Sequence, residues 1–112
     1  MLIYKILRAG EWSRLQAAGE TAGAPVDLAD GFIHFSTAAQ LRETAAKHFA
    51  GEDGLVLLAL RAETLGPGLK WEPSRGGALF PHLYAPLRLV DVAWHAPLPL
   101  RDGVHVFPED LE

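Results

Sequence analysis

The chain contains no cysteine, which excludes disulfide bonds and thiolate metal sites. It has no apolar run long enough to span a membrane, and its first residues lack the pattern of a secretory signal. Its ten lysines and arginines are scattered singly, and the net charge is −4. Binding to duplex nucleic acid needs clustered basic residues, so this class of partner is not expected. We therefore expect a cytoplasmic protein of bacterial type without membrane contact.

Apolar residues make up 49% and charged residues 21% of the 112 positions, a composition typical of a globular protein. This length predicts a single domain over residues 1–112. Helical patterns are few and early, and strand patterns dominate after residue 54. This order predicts an α+β fold, with small mixed or mostly antiparallel sheets and two main helices. The predicted elements are a strand at 2–7, a helix at 11–18, a loop at 19–29, a helix at 37–50, a central strand at 55–60, strands at 69–72 and 89–95, and a hairpin from residue 97.

The stretch that holds most of the unusual chemistry is residues 30–37, Asp-Gly-Phe-Ile-His-Phe-Ser-Thr. Its middle alternates as a strand does, so Ile33 and Phe35 are expected to face the core. The opposite face carries Phe32, His34 and Ser36. An imidazole and a hydroxyl beside an aromatic ring are typical of the floor of a cleft. For His34, the alternative is a core histidine bonded to a neighbouring strand or loop.

A helix is predicted to begin directly after this strand. Thr37 and Gln40 have the spacing of a capping box. Backbone N–H groups at such a start favour anions, which makes Ser36 and Thr37 candidate ligand-binding residues. Their interpretation as helix caps is the stronger of the two.

Further candidates follow in the second half of the chain. Glu72 is a candidate base or ribose-hydroxyl acceptor, or else an exposed residue at a strand end. Arg75 precedes two glycines and suits a grip on phosphate or carboxylate, with a solvated loop charge as the alternative. His82 is expected to share a face with aromatic neighbours. The full set of candidates is His34, Glu72 and His82 for catalysis, and Ser36, Thr37, Trp71, Arg75 and Tyr84 for ligand binding.

Several familiar catalytic patterns are missing. There is no Gly-x-Ser-x-Gly elbow, no phosphate-binding glycine loop and no dinucleotide glycine fingerprint. Zinc binding through His34, Glu72 and His82 is a weaker hypothesis, since no metal-ligand spacing supports it. His48 lies about 16 Å along the helix from its start, so it is not expected to share a metal with His34. His95 and His105 are expected to be structural.

Blocks distributed over most of the chain resemble one small bacterial family, domain of unknown function 952. The two most specific blocks are Gly-Phe-Ile-His-Phe-Ser-Thr, at residues 31–37, and Phe-Pro-His-Leu-Tyr, at residues 80–84. Weaker matches lie at Ile3 to Ile6, Trp12, Thr44-Ala45 with His48-Phe49, and Leu69 to Glu72.

The resemblance implies a fold similar to that of ADP-ribosyltransferases, which bind NAD between two small sheets and cleave its nicotinamide–ribose bond. It implies that His34 holds the nicotinamide ribose, and that Tyr84, His82 or Trp71 stacks on nicotinamide. The catalytic glutamate of the ADP-ribosyltransferases has no counterpart here on a C-terminal strand, because Glu109 lies in the tail. Glu72 is then the carboxylate expected to support positive charge at the anomeric carbon.

Two classes of function therefore remain. The first is a protein that binds NAD or a related nucleotide, with NAD as its substrate rather than a resident cofactor, and that cleaves NAD or transfers ADP-ribose. The second is a non-catalytic module that binds another small anionic metabolite or a partner protein. A fold resemblance alone does not establish either.

Overall fold

The computed structural model describes residues 1–111, with Arg75 described by its backbone alone. The α-helices of this part of the chain are α1 (Ala9–Ala18), α2 (Pro25–Asp30) and α3 (Ala38–His48). The strands are β1 (Leu2–Leu7), β2 (Glu20–Thr21), β3 (Ile33–His34), β4 (Leu55–Arg61), β5 (Leu69–Pro73), β6 (Leu79–Leu83), β7 (Leu87–Arg88), β8 (Val92–Leu98), β9 (Leu100–Arg101) and β10 (Val104–His105). The fold is α+β, as predicted.

Two three-stranded antiparallel sheets form the frame. The larger has the order β1-β4-β8, so the apolar run of β4 is central, as its sequence predicts. The smaller has the order β3-β6-β5, in which His34 lies opposite His82. Two-stranded pairs of β2 with β7 and of β9 with β10 complete the described pairings, and the β9–β10 pair is the predicted terminal hairpin.

The two large sheets are joined beside the site. The backbone N–H of Tyr4 donates to the carbonyl of Ser36 at 2.8 Å, and the N–H of Ser36 donates back at 2.9 Å. Phe35 in turn bonds to the carbonyl of Pro81 on β6 at 3.0 Å. The segment after β3 therefore ties the outer edge of β1 to the smaller sheet.

The core lies on both faces of the larger sheet. Leu41 and Ala45 of α3 pack on one face, with Phe49 beside them, as the helical stripe predicts. Ile33 and Phe35 belong to the cluster on the other face and are almost completely buried. The expected alternation around His34 is therefore confirmed on its core side.

The predictions of a loop at residues 19–29 and of only two main helices are wrong, because this segment contains a short strand and a third helix. Residues of β2 and all but the last residue of α2 lie in that interval. Pro25 occupies the first turn of α2, and Gly31 ends the helix with a φ of 84°. A six-residue helix is too short to show a period, so its proline and the glycines before it indicated a loop.

Strand β8 also begins later than predicted, because Leu89–Asp91 forms a 3-10 turn. Within the described residues, no helix combines the length and apolar character needed to cross a membrane.

Candidate functional site

A cavity of about 760 Å³ lies beside the junction of the two sheets. Its walls come from β1, the segment from Ala24 to Ser36, the inner side of α3, and β6. Both His34 and His82 border it, although 47 residues separate them in the chain. Its volume is within the range of small-molecule sites, which are about 300–1,000 Å³. A mixed polar and aromatic lining makes this the candidate site.

The buried carboxylate of Asp27, on α2, organises one wall of the cavity. The side chain is 0% exposed, and it accepts four hydrogen bonds. Oδ2 accepts from Lys5 Nζ at 2.8 Å and from the backbone N–H of Ala24 at 2.8 Å. Oδ1 contacts the backbone N–H of His34 at 3.0 Å and its ring Nδ1 at 2.6 Å. Asp27 thus fixes both the backbone and the ring of His34.

Charge balance at this wall depends on the buried pair of Lys5 and Asp27. Burial alone would raise the pKa of Asp27, but bonds from His34 and Lys5 outweigh it and lower the pKa to about 2. Burial lowers the pKa of Lys5, which is 6% exposed, and Asp27 opposes this effect only in part. Asp27 is therefore a carboxylate throughout the neutral range.

The second nitrogen of His34 is the one that can meet a ligand. Nε2 lies 2.9 Å from Oδ2 of Asp30, whose side chain is largely exposed at the cavity wall. A neutral imidazole has one N–H donor, so it can donate to only one of these two carboxylates. Displacement of the exposed Asp30 would open Nε2, while the buried Asp27 continues to hold Nδ1.

His82 is held by a different carboxylate, on the outer side. Its Nδ1 lies 2.8 Å from Oε1 of Glu72, and the hydroxyl of Tyr84 donates to the same oxygen at 2.7 Å. The bond from Tyr84, and then the one to His82, lower the pKa of Glu72, and Glu72 raises the pKa of Tyr84. Glu72 does not border the cavity, so it is linked to the cavity wall through His82.

An aromatic cluster places the two histidine rings next to each other. Phe32 stacks on His82 with ring centroids 4.1 Å apart and lies 4.6 Å from the ring of His34. The centroids of His34 and His82 are 5.6 Å apart, with the rings nearly perpendicular. Tyr84 packs against Phe32 at 5.2 Å. Phe32 therefore supports both imidazoles from one side.

Ser36 and Thr37 have different roles in the structure. Ser36 borders the cavity, and its hydroxyl lies 2.8 Å from that of Thr44 on α3. Thr37 caps α3: its hydroxyl accepts from the backbone N–H of Gln40 at 3.3 Å, and Oε1 of Gln40 accepts from the backbone N–H of Thr37 at 3.0 Å. The predicted capping box is confirmed.

Trp71 and Tyr84 are not brought to the cavity wall. Trp71 alternates with Glu72 along β5 and faces the other side of the smaller sheet. The side chain of Arg75 lies outside what the structure describes, and its predicted grip on phosphate stays a prediction. Of the three candidates for stacking on nicotinamide, His82 borders the cavity, and Trp71 and Tyr84 do not.

The buried pair of Lys5 and Asp27 was absent from the predicted set. Lys5 interrupts an otherwise uncharged strand, which is the one sequence signal that could have indicated it. Asp27 lay in the predicted loop, where an aspartate is ordinary. Only the tertiary structure shows that these two charges meet beside His34.

Of the other histidines, His48 borders the far part of the cavity on α3. His105 bonds through Nε2 to the carbonyl of Glu52 at 2.7 Å, and His95 packs against Trp12. Within residues 1–111, no group of three or more histidine or acidic side chains is arranged to hold a metal ion.

The chain belongs to the family described as "Protein of unknown function (DUF952)", whose sequence model matches residues 6–95. The fold is similar to the crystal structure of protein CC0527 from Caulobacter crescentus, with a TM-score of 0.91 and 57% identity over 95% of this chain and 94% of that chain. The solution NMR structure of CC0527 matches with a TM-score of 0.83 and 59% identity, over 92% and 90% of the two chains. No curated protein matches this chain.

Proposed function

We propose that this protein binds NAD or a related nucleotide in the cavity and cleaves the nicotinamide–ribose bond, with water or a nucleophilic group as acceptor. The observation that carries the proposal is the convergence of His34 and His82 on one open cavity, each held by its own carboxylate. The proposal also takes the two joined sheets as a version of the ADP-ribosyltransferase fold.

His34 is the residue proposed to hold the nicotinamide ribose. Asp27 fixes its Nδ1 side, and Nε2 bonds a ribose hydroxyl after Asp30 moves away. Because Asp27 and Lys5 are buried, the ring is preorganised before the ligand arrives. Preorganised polar groups cost no rearrangement during the reaction.

His82 is proposed to face the nicotinamide ring. In the cleavage step, the bond between ribose C1′ and the pyridinium nitrogen breaks, and its electron pair leaves with neutral nicotinamide. C1′ of the oxocarbenium-like ribose then bonds to the oxygen of water or to the nucleophilic atom of the acceptor, which releases its proton to solvent. Glu72 is proposed to favour the positive charge that develops on the ribose. Because it acts through its bond to Nδ1 of His82, it is a positioning residue.

The proposal predicts that His34→Ala abolishes NAD binding at concentrations near the dissociation constant of the parent protein. The change removes the ribose contact, while the fold keeps its core on both faces of the larger sheet. Isothermal titration calorimetry with NAD measures the binding, and thermal melting checks that unfolding stays cooperative. His95→Ala is the matched control, since His95 lies against Trp12 away from the cavity.

Absence of any NAD affinity in the parent protein contradicts the proposal. Release of nicotinamide is monitored by chromatography. If NAD binds and no nicotinamide is released, the proposed nucleotide site stands and the proposed cleavage is wrong. Binding of a different anionic metabolite in a His34-dependent manner favours the non-catalytic alternative.

A further inference from the structure

The cavity extends well beyond the two histidines. His34 and His82 border one part, and Arg8, Glu11 and Phe49 border another. Phe49 follows the last residue of α3, about 18 Å along the helix axis from Thr37 at a rise of about 1.5 Å per residue. A ligand held by the two histidines alone would therefore leave the distal part of the cavity unfilled.

Arg8 forms a planar surface in this distal part. Its guanidinium donates to both carboxylate oxygens of Glu52, at 2.8 and 3.0 Å, and lies 4.9 Å from the ring centroid of Phe49. The side chain is 46% exposed. Because Glu52 already pairs its charge in the two-pronged geometry that a phosphate would use, Arg8 offers a flat face for stacking.

Glu11 supplies a hydrogen-bond acceptor next to this surface. Its Oε1 accepts from the backbone N–H of Arg8 at 2.8 Å. Its Oε2 forms an ion pair with Nη1 of Arg8 at 3.6 Å, a distance that is too long for a hydrogen bond. The side chain is only 14% exposed, and this oxygen, which is paired in charge with Arg8 but not hydrogen-bonded to it, can accept a hydrogen bond from a ligand.

We propose that Arg8, Glu11 and Phe49 form a second binding subsite, for a planar heterocycle that carries an exocyclic amino group. The heterocycle stacks on the guanidinium, which Phe49 supports from below, and its amino group donates to Oε2 of Glu11. A purine base has this chemistry. The inference rests on the proposed function where it assigns the subsite to the adenine half of NAD.

The test uses calorimetric titration with three probes: NAD, nicotinamide mononucleotide and AMP. In Glu11→Gln the amide oxygen keeps the bond to the Arg8 N–H, but an NH2 group, which donates, replaces the accepting Oε2. We expect affinity for NAD and AMP to fall about tenfold or more, and affinity for nicotinamide mononucleotide to stay unchanged. Phe49→Leu is expected to act in the same direction, because it removes the ring under Arg8.

The matched control is Glu43→Gln, which changes an exposed carboxylate on α3 outside the cavity wall. If the parent does not bind AMP, or if Glu11→Gln leaves AMP affinity unchanged, the subsite is wrong even where NAD binding depends on His34. If AMP binding depends on Glu11 while NAD affinity is insensitive to His34→Ala, the subsite stands and the proposed function fails.

Discussion

Asp27 is the residue on which the position of His34 depends. It is held by four donors, and it lies so close to Gly23 that a Cβ at position 23 would collide with it. Gly23 also has a φ of 116°, a conformation that other residues rarely adopt. A buried carboxylate with this many partners is a rigid support for an imidazole, and its loss leaves the Lys5 charge unpaired.

We predict that Asp27→Asn lowers the free energy of unfolding by roughly 3–5 kcal/mol at neutral pH, because it breaks a buried ion pair. The folded-state pKa of Asp27 is depressed from 3.8 to about 2, so its contribution is complete above 3.8 and is lost as the pH falls towards 2. That shift corresponds to about 2 kcal/mol. Denaturant unfolding at several pH values should show the difference between parent and variant shrinking by about 2 kcal/mol in acid.

The companion variant Lys5→Met removes the positive charge of the buried pair. Combined with Asp27→Asn, it should recover part of the lost stability, because no unpaired buried charge remains. If the difference in free energy of unfolding between the parent and Asp27→Asn stays constant from neutral pH down to pH 2, the pKa shift assigned to Asp27 is contradicted.

At the scale of elements, α3 shows how well a local signal predicts structure. Its capping box and its apolar stripe lie within a few residues of each other, and both are as the sequence indicates. The short helix α2 has no apolar stripe, and its cap residue Ala24 has no side-chain acceptor that would mark a capping box in the sequence. Asp27 lies on that helix, and the strongest electrostatic anchor of the site was therefore hidden in a segment that looked like a loop.

We predict that Thr37→Ala lowers the free energy of unfolding by about 1 kcal/mol and leaves NAD affinity unchanged. Thr37 caps α3 and does not border the cavity. Ser36→Ala is the comparison, since Ser36 does border it and contacts Thr44. Chemical denaturation and calorimetry measure the two effects. A loss of affinity in Thr37→Ala as large as that in Ser36→Ala would show that Thr37 contacts the ligand.

At the scale of the whole molecule, the site depends on long-range pairing. The sequence marks His34 and His82 as unusual, because each stands among aromatic residues in a short strand-like block. Their opposition across β3 and β6 is a matter of strand register, which is set by turns and by the core as a whole. The contribution of Lys5 requires in addition that β1 meet Ser36, and no local pattern indicates that contact.

Ligand binding should be visible in the stability of the entire domain. NAD at about 100 times its dissociation constant is expected to stabilise the folded state by about 2.7 kcal/mol, and to raise the Tm by roughly 10 °C. A thermal-shift screen that also includes sugar phosphates and divalent metals tests the alternatives in the same experiment. The shift with NAD should vanish in His34→Ala and His82→Ala and persist in His95→Ala.

The two imidazoles stand in unequal surroundings. The carboxylate behind His34 is sealed from water, whereas the Glu72 side chain behind His82 is 35% exposed. Dissolved ions screen an exposed charge far more than a buried one. Ionic strength is therefore expected to act on the contact of Glu72 with His82 and on that of Asp30 with Nε2 of His34, while the bond from Asp27 to Nδ1 of His34 is shielded from it.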